Sequence, residues 1–257
     1  MSPFLPNGQT DRMTKWTELF QDVFSSAAWA ELDKKLKGDH VEFGEHKFCP
    51  KPRNVWKPFE FMDPDKVNCI VIGQDPYPET EQATGIAFGI PESIGMTLSL
   101  QNIMNEIERS GECLASITLD WTLESWCMQG VLPINSSMTV MQGYHNSKCH
   151  LSWWQPVVSM LIDRIAYKNP GIPIIAMGAV ARNTISHYAR SLTAVIETSH
   201  PARAKHDGVG IVGSDCFVHA NTVLTDPAYN LNRKPIKWHF DMRNQPEELV
   251  GTDEAPF

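Results

Sequence analysis

What the 257-residue chain lacks narrows its function before any motif is read. No apolar run approaches the roughly 20 residues that a bilayer-spanning helix needs, so no membrane role is expected. The first residues are polar and broken by prolines rather than basic and then apolar, which argues against a secretory leader. The cysteines (Cys49, Cys69, Cys113, Cys127, Cys149 and Cys216) are scattered, with no Cys-x-x-Cys pair. That spacing fits reduced thiols in a cytosolic or, in a eukaryotic host, nuclear protein, and it disfavours zinc or iron–sulfur ligation. His145, Cys149 and His150 cluster in sequence but read as a polar loop, so no metal or cofactor is expected. There is no glycine-rich phosphate loop of the nucleotide-hydrolase kind. No internal repeat, low-complexity tract or linker divides the chain, and one domain is expected.

Positive charge is also scarce: 22 Lys and Arg stand against 30 Asp and Glu, a net charge of −8. A nucleic-acid-binding protein ordinarily offers a basic surface, so any such face here must be local. Acids gather at Glu79, Glu81, Glu92, Glu247, Glu248, Asp253 and Glu254, whereas Arg203, Lys205 and His206 lie close together. Binding through that second group would be modest in affinity and strongly salt-dependent.

What is present is an alternation of strand and helix patterns. Residues 1–12 have no periodicity and are expected to be loose, the folded domain to span 13–240, and the acidic residues 241–257 to form a tail. Trp16, Phe20, Phe24 and Leu32 recur at helical spacing within 13–37. Apolar runs at Val67–Ile72, Gly130–Asn135, Ile172–Gly178 and Val195–Glu197 read as buried strands. Between them, Ser99 is placed as the N-cap of a helix with the apolar stripe Leu100, Ile103, Met104 and Ile107. Further helices are expected over 154–166, 180–190 and 217–224. This order predicts a single α/β domain with a central, mostly parallel four-stranded sheet flanked by helices. Its strand ends deliver Asp75, Asn135, Gly178 and His200, residues far apart in sequence, to one crevice.

The stretch Cys69-Ile70-Val71-Ile72-Gly73-Gln74-Asp75-Pro76-Tyr77-Pro78 is the most specific signal. It resembles the water-activating motif of family 1 uracil-DNA glycosylases, Gly-Gln-Asp-Pro-Tyr followed by His or Pro. Asn135 at a strand end, Ser199-His200-Pro201 and the closing segment Lys234–Trp238 extend the resemblance from about Val55 to Trp238. It implies an enzyme of base excision repair that flips uracil out of DNA and hydrolyses its N-glycosidic bond, leaving an abasic site. By resemblance, Asp75 orients a water and stabilises an oxocarbenium-like sugar, and His200 donates to uracil O2 as charge builds on the leaving base. Gln74 contacts the base through its backbone, and Tyr77 blocks a C5 methyl group and so refuses thymine. By the same resemblance Phe88 falls at the position that stacks on the extruded base, its other reading being an ordinary core residue. Asn135 matches uracil N3–H and O4 with one acceptor and one donor, a pattern cytosine reverses. Pro76, Ser99, Gly178, Ala179, Pro201, Ala202, Arg203 and Ala204 fall at positions facing phosphates or the minor groove.

Three departures from the family pattern stand out. The loop before Ser99 is Ile94-Gly95-Met96-Thr97-Leu98 rather than proline-rich. Ala179 replaces a common serine. Ala204 aligns with the leucine that fills the gap left by the flipped base, leaving only Arg203 to plug it. Weaker duplex activity and a preference for single-stranded uracil-containing DNA are therefore expected. A monomer is expected, with a proteinaceous inhibitor as a second kind of partner. Two alternatives compete: a replication or partner module that keeps the fold and binds DNA with weak catalysis, and a glycosylase for a 5-substituted uracil, which Tyr77 opposes.

Overall fold

A computed structural model describes residues 3–6, 11–111, 120–143, 150–203, 210–229 and 231–239, leaving aside the side chains of His46 and Arg203. The chain begins with α1 (Asp11–Leu19), α2 (Gln21–Phe24) and α3 (Ala27–Phe43), then forms the short strand β1 (Phe48–Cys49). The first central strand is β2 (Cys69–Gly73), followed by α4 (Leu98–Arg109), α5 (Glu124–Met128) and β3 (Val131–Asn135). Next come β4 (Val140–Met141), α6 (Leu151–Lys168), β5 (Pro173–Met177), α7 (Ala179–Thr184) and α8 (His187–Leu192). The chain then runs through β6 (Ala194–Thr198) and a 3-10 turn at Pro201–Arg203 to α9 (Cys216–Thr225).

The central sheet has the order β3-β2-β5-β6 with every pair parallel, as the sequence predicts. Its inner strands are buried throughout, which is why they read as unbroken β-branched runs rather than alternating ones. The register sets Gly73 beside Asn135 and Met177 beside Thr198, so the strands end level with one another. From β2 the chain moves to β3 on one side and then crosses to β5 on the other. The crevice beyond the carboxyl ends of β2 and β5 is thus a topological switch point, where open sheets of this kind bind ligands. β1 and β4 form a separate antiparallel pair.

Aromatic packing locks the helices onto the sheet. Trp16 meets Phe59 edge to face at 4.9 Å, and its indole N–H donates to the Met62 carbonyl at 2.9 Å. Trp238 is 1% exposed. Its ring lies 5.0 Å from Trp126 and 4.8 Å from Phe217, and its indole N–H donates to the Phe217 carbonyl.

Several expected boundaries shift. Residues 1–12 are not uniformly loose: Phe4 is buried, its carbonyl accepts from the Trp56 indole at 2.7 Å, and α1 begins at Asp11. Ser99 is not the N-cap of α4. Thr97 takes that position in extended conformation, and its hydroxyl accepts from the Leu100 N–H. The single helix expected over 180–190 is two, because Ser186 is extended and caps α8 by accepting from the Ala189 N–H at 3.0 Å. No helix among the described residues is long and apolar enough to cross a membrane.

Candidate active site

The turn after β2 is stitched to the turn after β3. Ser136 donates both its N–H and its hydroxyl to the Gly73 carbonyl, each at 3.0 Å, and the Ser137 N–H donates to the Gln74 carbonyl at 2.9 Å. Gly143 N–H holds the Pro78 carbonyl at 2.8 Å. With Pro76 buried, residues 74–78 form a stiff turn that presents a half-buried Asp75 two residues beyond the strand.

Gly73 is where three elements converge. A methyl group on it would lie 2.4 Å from Asn135 Oδ1 and 3.0 Å from the Phe88 ring, far inside contact distance. The absence of a side chain therefore lets the Asn135 amide, only 6% exposed, and the Phe88 ring approach one point from different parts of the chain. Phe88 has φ of +66°, a left-handed conformation uncommon for an aromatic residue. It is held there by contacts on either side. Ala87 N–H donates to the Pro133 carbonyl at 3.2 Å, and the Tyr77 hydroxyl reaches the Phe88 carbonyl at 3.4 Å. Phe88 is 8% exposed and belongs to the core cluster, so the packing role and the site position coincide in one ring.

Tyr77 is itself fixed. Its hydroxyl sits 2.8 Å from that of Thr97, and burial keeps its pKa above the ordinary tyrosine range against the lowering effect of that hydrogen bond. Thr97 thus serves two functions, capping α4 and anchoring the tyrosine. Nothing local in the sequence distinguishes it from Ser99.

On the other side of the crevice, β5 ends at Gly178 and β6 leads to His200. Gly178 has φ of +99°, and a methyl group there would meet His200 Cβ at 3.1 Å. The absence of a side chain at Gly178, just past β5, therefore leaves room for His200 beside it. The His200 ring lies 6.5 Å from Phe88, tilted 62° to it. The Ala202 N–H donates to His200 Nδ1 at 3.2 Å. A nitrogen that accepts carries no proton, so the neutral ring is protonated at Nε2 and presents a donor there.

The structure thus gathers Gly73, Phe88, Asn135, Gly178 and His200 around one crevice, with Gln74, Asp75 and Tyr77 on its adjoining turn. Pro201 is buried behind His200, Ala179 and Ala202 are exposed, and Ser99 is half-buried on the first turn of α4. Arg203 closes the 3-10 turn, and Ala204 lies outside the described residues. Among the described residues no three metal-binding side chains gather. His150, from the His-Cys-His cluster, is buried between Asp39 and Thr139, each 3.0 Å from a ring nitrogen; His145 and Cys149 lie outside the described residues. A separate groove of about 1160 Å³, lined by Arg12, Asp63, Lys66, Arg233 and Lys237 among others, opens near the amino ends of β2 and β3 and holds none of the expected residues.

No protein-family model matches the chain. Curated relatives do. A uracil-DNA glycosylase of Bacillus licheniformis is 29% identical over 223 residues, covering 87% of this chain and 94% of the relative. A uracil-DNA glycosylase of equine herpesvirus 1 is 28% identical over 244 residues, 90% of this chain and 75% of its own. Among solved structures, the mimivirus uracil-DNA glycosylase superposes with a TM-score of 0.73 at 22% identity, covering 88% of this chain and 86% of that one. A variant of it crystallised in complex with UGI gives 0.74.

Proposed function

We propose, from the premise that the chain is a divergent member of the uracil-DNA glycosylase family, that it removes uracil from DNA by hydrolysing the N-glycosidic bond. The observation that carries the assignment of roles is the meeting of the Asn135 amide, the Phe88 ring and the Nε2–H tautomer of His200 around the glycines that end β2 and β5.

In this reading uracil leaves the base stack and enters the crevice, with its ring against Phe88. Asn135 offers one acceptor and one donor to N3–H and O4, and the fixed amide rejects cytosine, which presents the reverse pattern. Tyr77, held by Thr97, occupies the space that a C5 methyl would need. The C1′–N1 bond breaks with its electron pair leaving on uracil. His200 Nε2–H stabilises the charge that gathers on O2. Asp75 faces the developing oxocarbenium ion and orients the water that adds to C1′, and the proton balance closes with uracil taking up the proton that water gives. Gln74, Ser99 and the backbone at Gly178 and Ala179 support base and phosphate contacts, and the turns that carry Pro76, Pro201 and Ala202 lie on the DNA side of the crevice.

Gly73→Ala tests the assembly of this pocket without touching a functional side chain. The added methyl must displace the Asn135 amide or the Phe88 ring, and uracil release should fall about 10- to 100-fold. A rate within about twofold of the parent would show that the convergence at Gly73 has no bearing on catalysis.

Ala204, aligned with the leucine that fills the gap behind a flipped base, leaves only Arg203 to plug it. Single-stranded DNA needs no such filler, so the preferred substrate is single-stranded. Timed release of free uracil from single-uracil oligonucleotides, alone and annealed, is the direct test of both activity and preference. Faster release from the single strand is expected; equal or faster release from the duplex overturns the preference, and no release from either overturns the activity. Retarded migration of undamaged DNA without uracil release would favour the DNA-binding module instead. The protein acts as a monomer in the cytoplasm, or the nucleus of a eukaryotic host, and a protein inhibitor of the UGI kind is a further expected partner.

A further inference from the structure

We propose that Asn102 is a positioning residue for His200, acting from α4 on the turn that follows the histidine, while Glu106 braces the same helix against the start of α9. The inference rests on the role of His200 given above. The two side chains are one helical turn apart and share a face of α4. Both are polar and both are buried: Asn102 is 8% exposed and Glu106 is 0% exposed, between Leu100, Ile103, Met104 and Ile107. Burying an amide and a carboxylate on the apolar side of a helix is costly unless their hydrogen bonds are made. Here they are made, to the backbone of the turn after His200 and of the start of α9.

Asn102 Nδ2 donates to the Pro201 carbonyl at 2.7 Å. Glu106 accepts from the backbone N–H of Gly213 and of Asp215, each at 2.6 Å, one to each carboxylate oxygen. Arg109 closes the arrangement by donating to both oxygens, at 2.8 and 2.9 Å, and by pairing with Asp215. Residue 215 is left-handed, with φ of +53°, and starts α9. Asn102 thus holds the turn next to His200, and Glu106 holds the start of α9.

The link to the imidazole is direct. The turn whose first carbonyl Asn102 holds is the turn whose Ala202 N–H donates to His200 Nδ1. If that turn slips, the Ala202 N–H leaves Nδ1, and the bias it gives toward the Nε2–H tautomer goes with it. Packing alone would be met by an apolar side chain at position 102 or 106. A directional bond to the Pro201 carbonyl instead fixes the backbone beside the ring, which is what aiming it requires.

The test is a double-mutant cycle on uracil release from a single-uracil, single-stranded oligonucleotide, using the full chain. Asn102→Ala is expected to lower kcat about 10- to 100-fold with KM changed by less than about threefold. In a His200→Ala background the same substitution should cost less than about twofold, because the group it positions is gone. Nitrogen-15 spectra of the histidine rings give a second readout: one tautomer at His200 in the parent, a mixture in Asn102→Ala. Asn102→Asp, of the same shape but without the donor, repeats both measurements should the alanine variant not fold. Glu106→Gln, whose bonds lie at the start of α9, should leave the single His200 tautomer in place. Equal losses in both backgrounds, with His200→Ala itself impaired, overturn the positioning role of Asn102 alone. An unimpaired His200→Ala overturns the reading of His200 and that role together.

Discussion

Asp75→Asn is expected to slow uracil release by about 10²- to 10⁴-fold while leaving DNA binding within about threefold of the parent. The substitution keeps the shape of the side chain and removes its charge. The turn that carries it has anchors of its own: the Gln74 carbonyl is held by the Ser137 N–H, Pro76 is buried, and the Pro78 carbonyl is held by Gly143. The loss then measures what a fixed anion contributes to an oxocarbenium-like transition state in a partly dry crevice, about 3–5 kcal/mol for a thousandfold effect and its neighbours. Single-turnover excision beside fluorescence anisotropy on the same oligonucleotide separates the two quantities. A variant that retains a tenth of the parent rate would mean that Asp75 only shapes the turn.

His200→Ala should cost about 10²- to 10³-fold in the same assay, the usual size for one preorganised donor to a developing anion. The more telling variant is His200→Gln. Its amide N–H₂ is a donor without a titrating ring, so partial recovery over the alanine variant is expected at every pH between about 6 and 8, where an unperturbed imidazole changes charge. Recovery supports a neutral donor, in keeping with Nδ1 accepting from Ala202. If glutamine and alanine variants are equally slow, hydrogen-bond donation by His200 is not what limits the reaction.

The central strands were readable because a parallel strand covered on both faces leaves a plain trace: a β-branched run ending in glycine or a polar residue. Ile70-Val71-Ile72-Gly73 is such a trace, and so is Ile174-Ile175-Ala176-Met177-Gly178. The parts of the site within one motif were readable for a similar reason, since Gln74, Asp75 and Tyr77 share a single turn. Local sequence fails where a choice depends on a distant partner. Thr97 and Ser99 are both competent caps; Thr97 is used, and its hydroxyl also meets that of Tyr77, 20 positions away. Phe4 sits among polar and proline residues, yet a tryptophan 52 positions later takes its carbonyl. Asn102 and Glu106 look like ordinary polar positions beside an apolar stripe, because their partners lie 99 and more than 100 residues further on. Phe88 shows a different limit: a stacking residue and a core residue leave the same mark when one ring does both.

Trp238 carries a consequence for how the protein is made. Its ring fills the space between Trp126 and Phe217, and the Trp126 indole donates to its carbonyl at 2.8 Å across 112 residues of chain. Large aromatic side chains in such positions each contribute about 3–5 kcal/mol. A ribosome adding residues in order has released α5, β3 and α9 before this tryptophan emerges, so two of its aromatic neighbours wait uncovered until residue 238 follows. Closure of that flank therefore waits on the segment after α9, and a chain stalled before it would expose an apolar patch of the kind that chaperones hold.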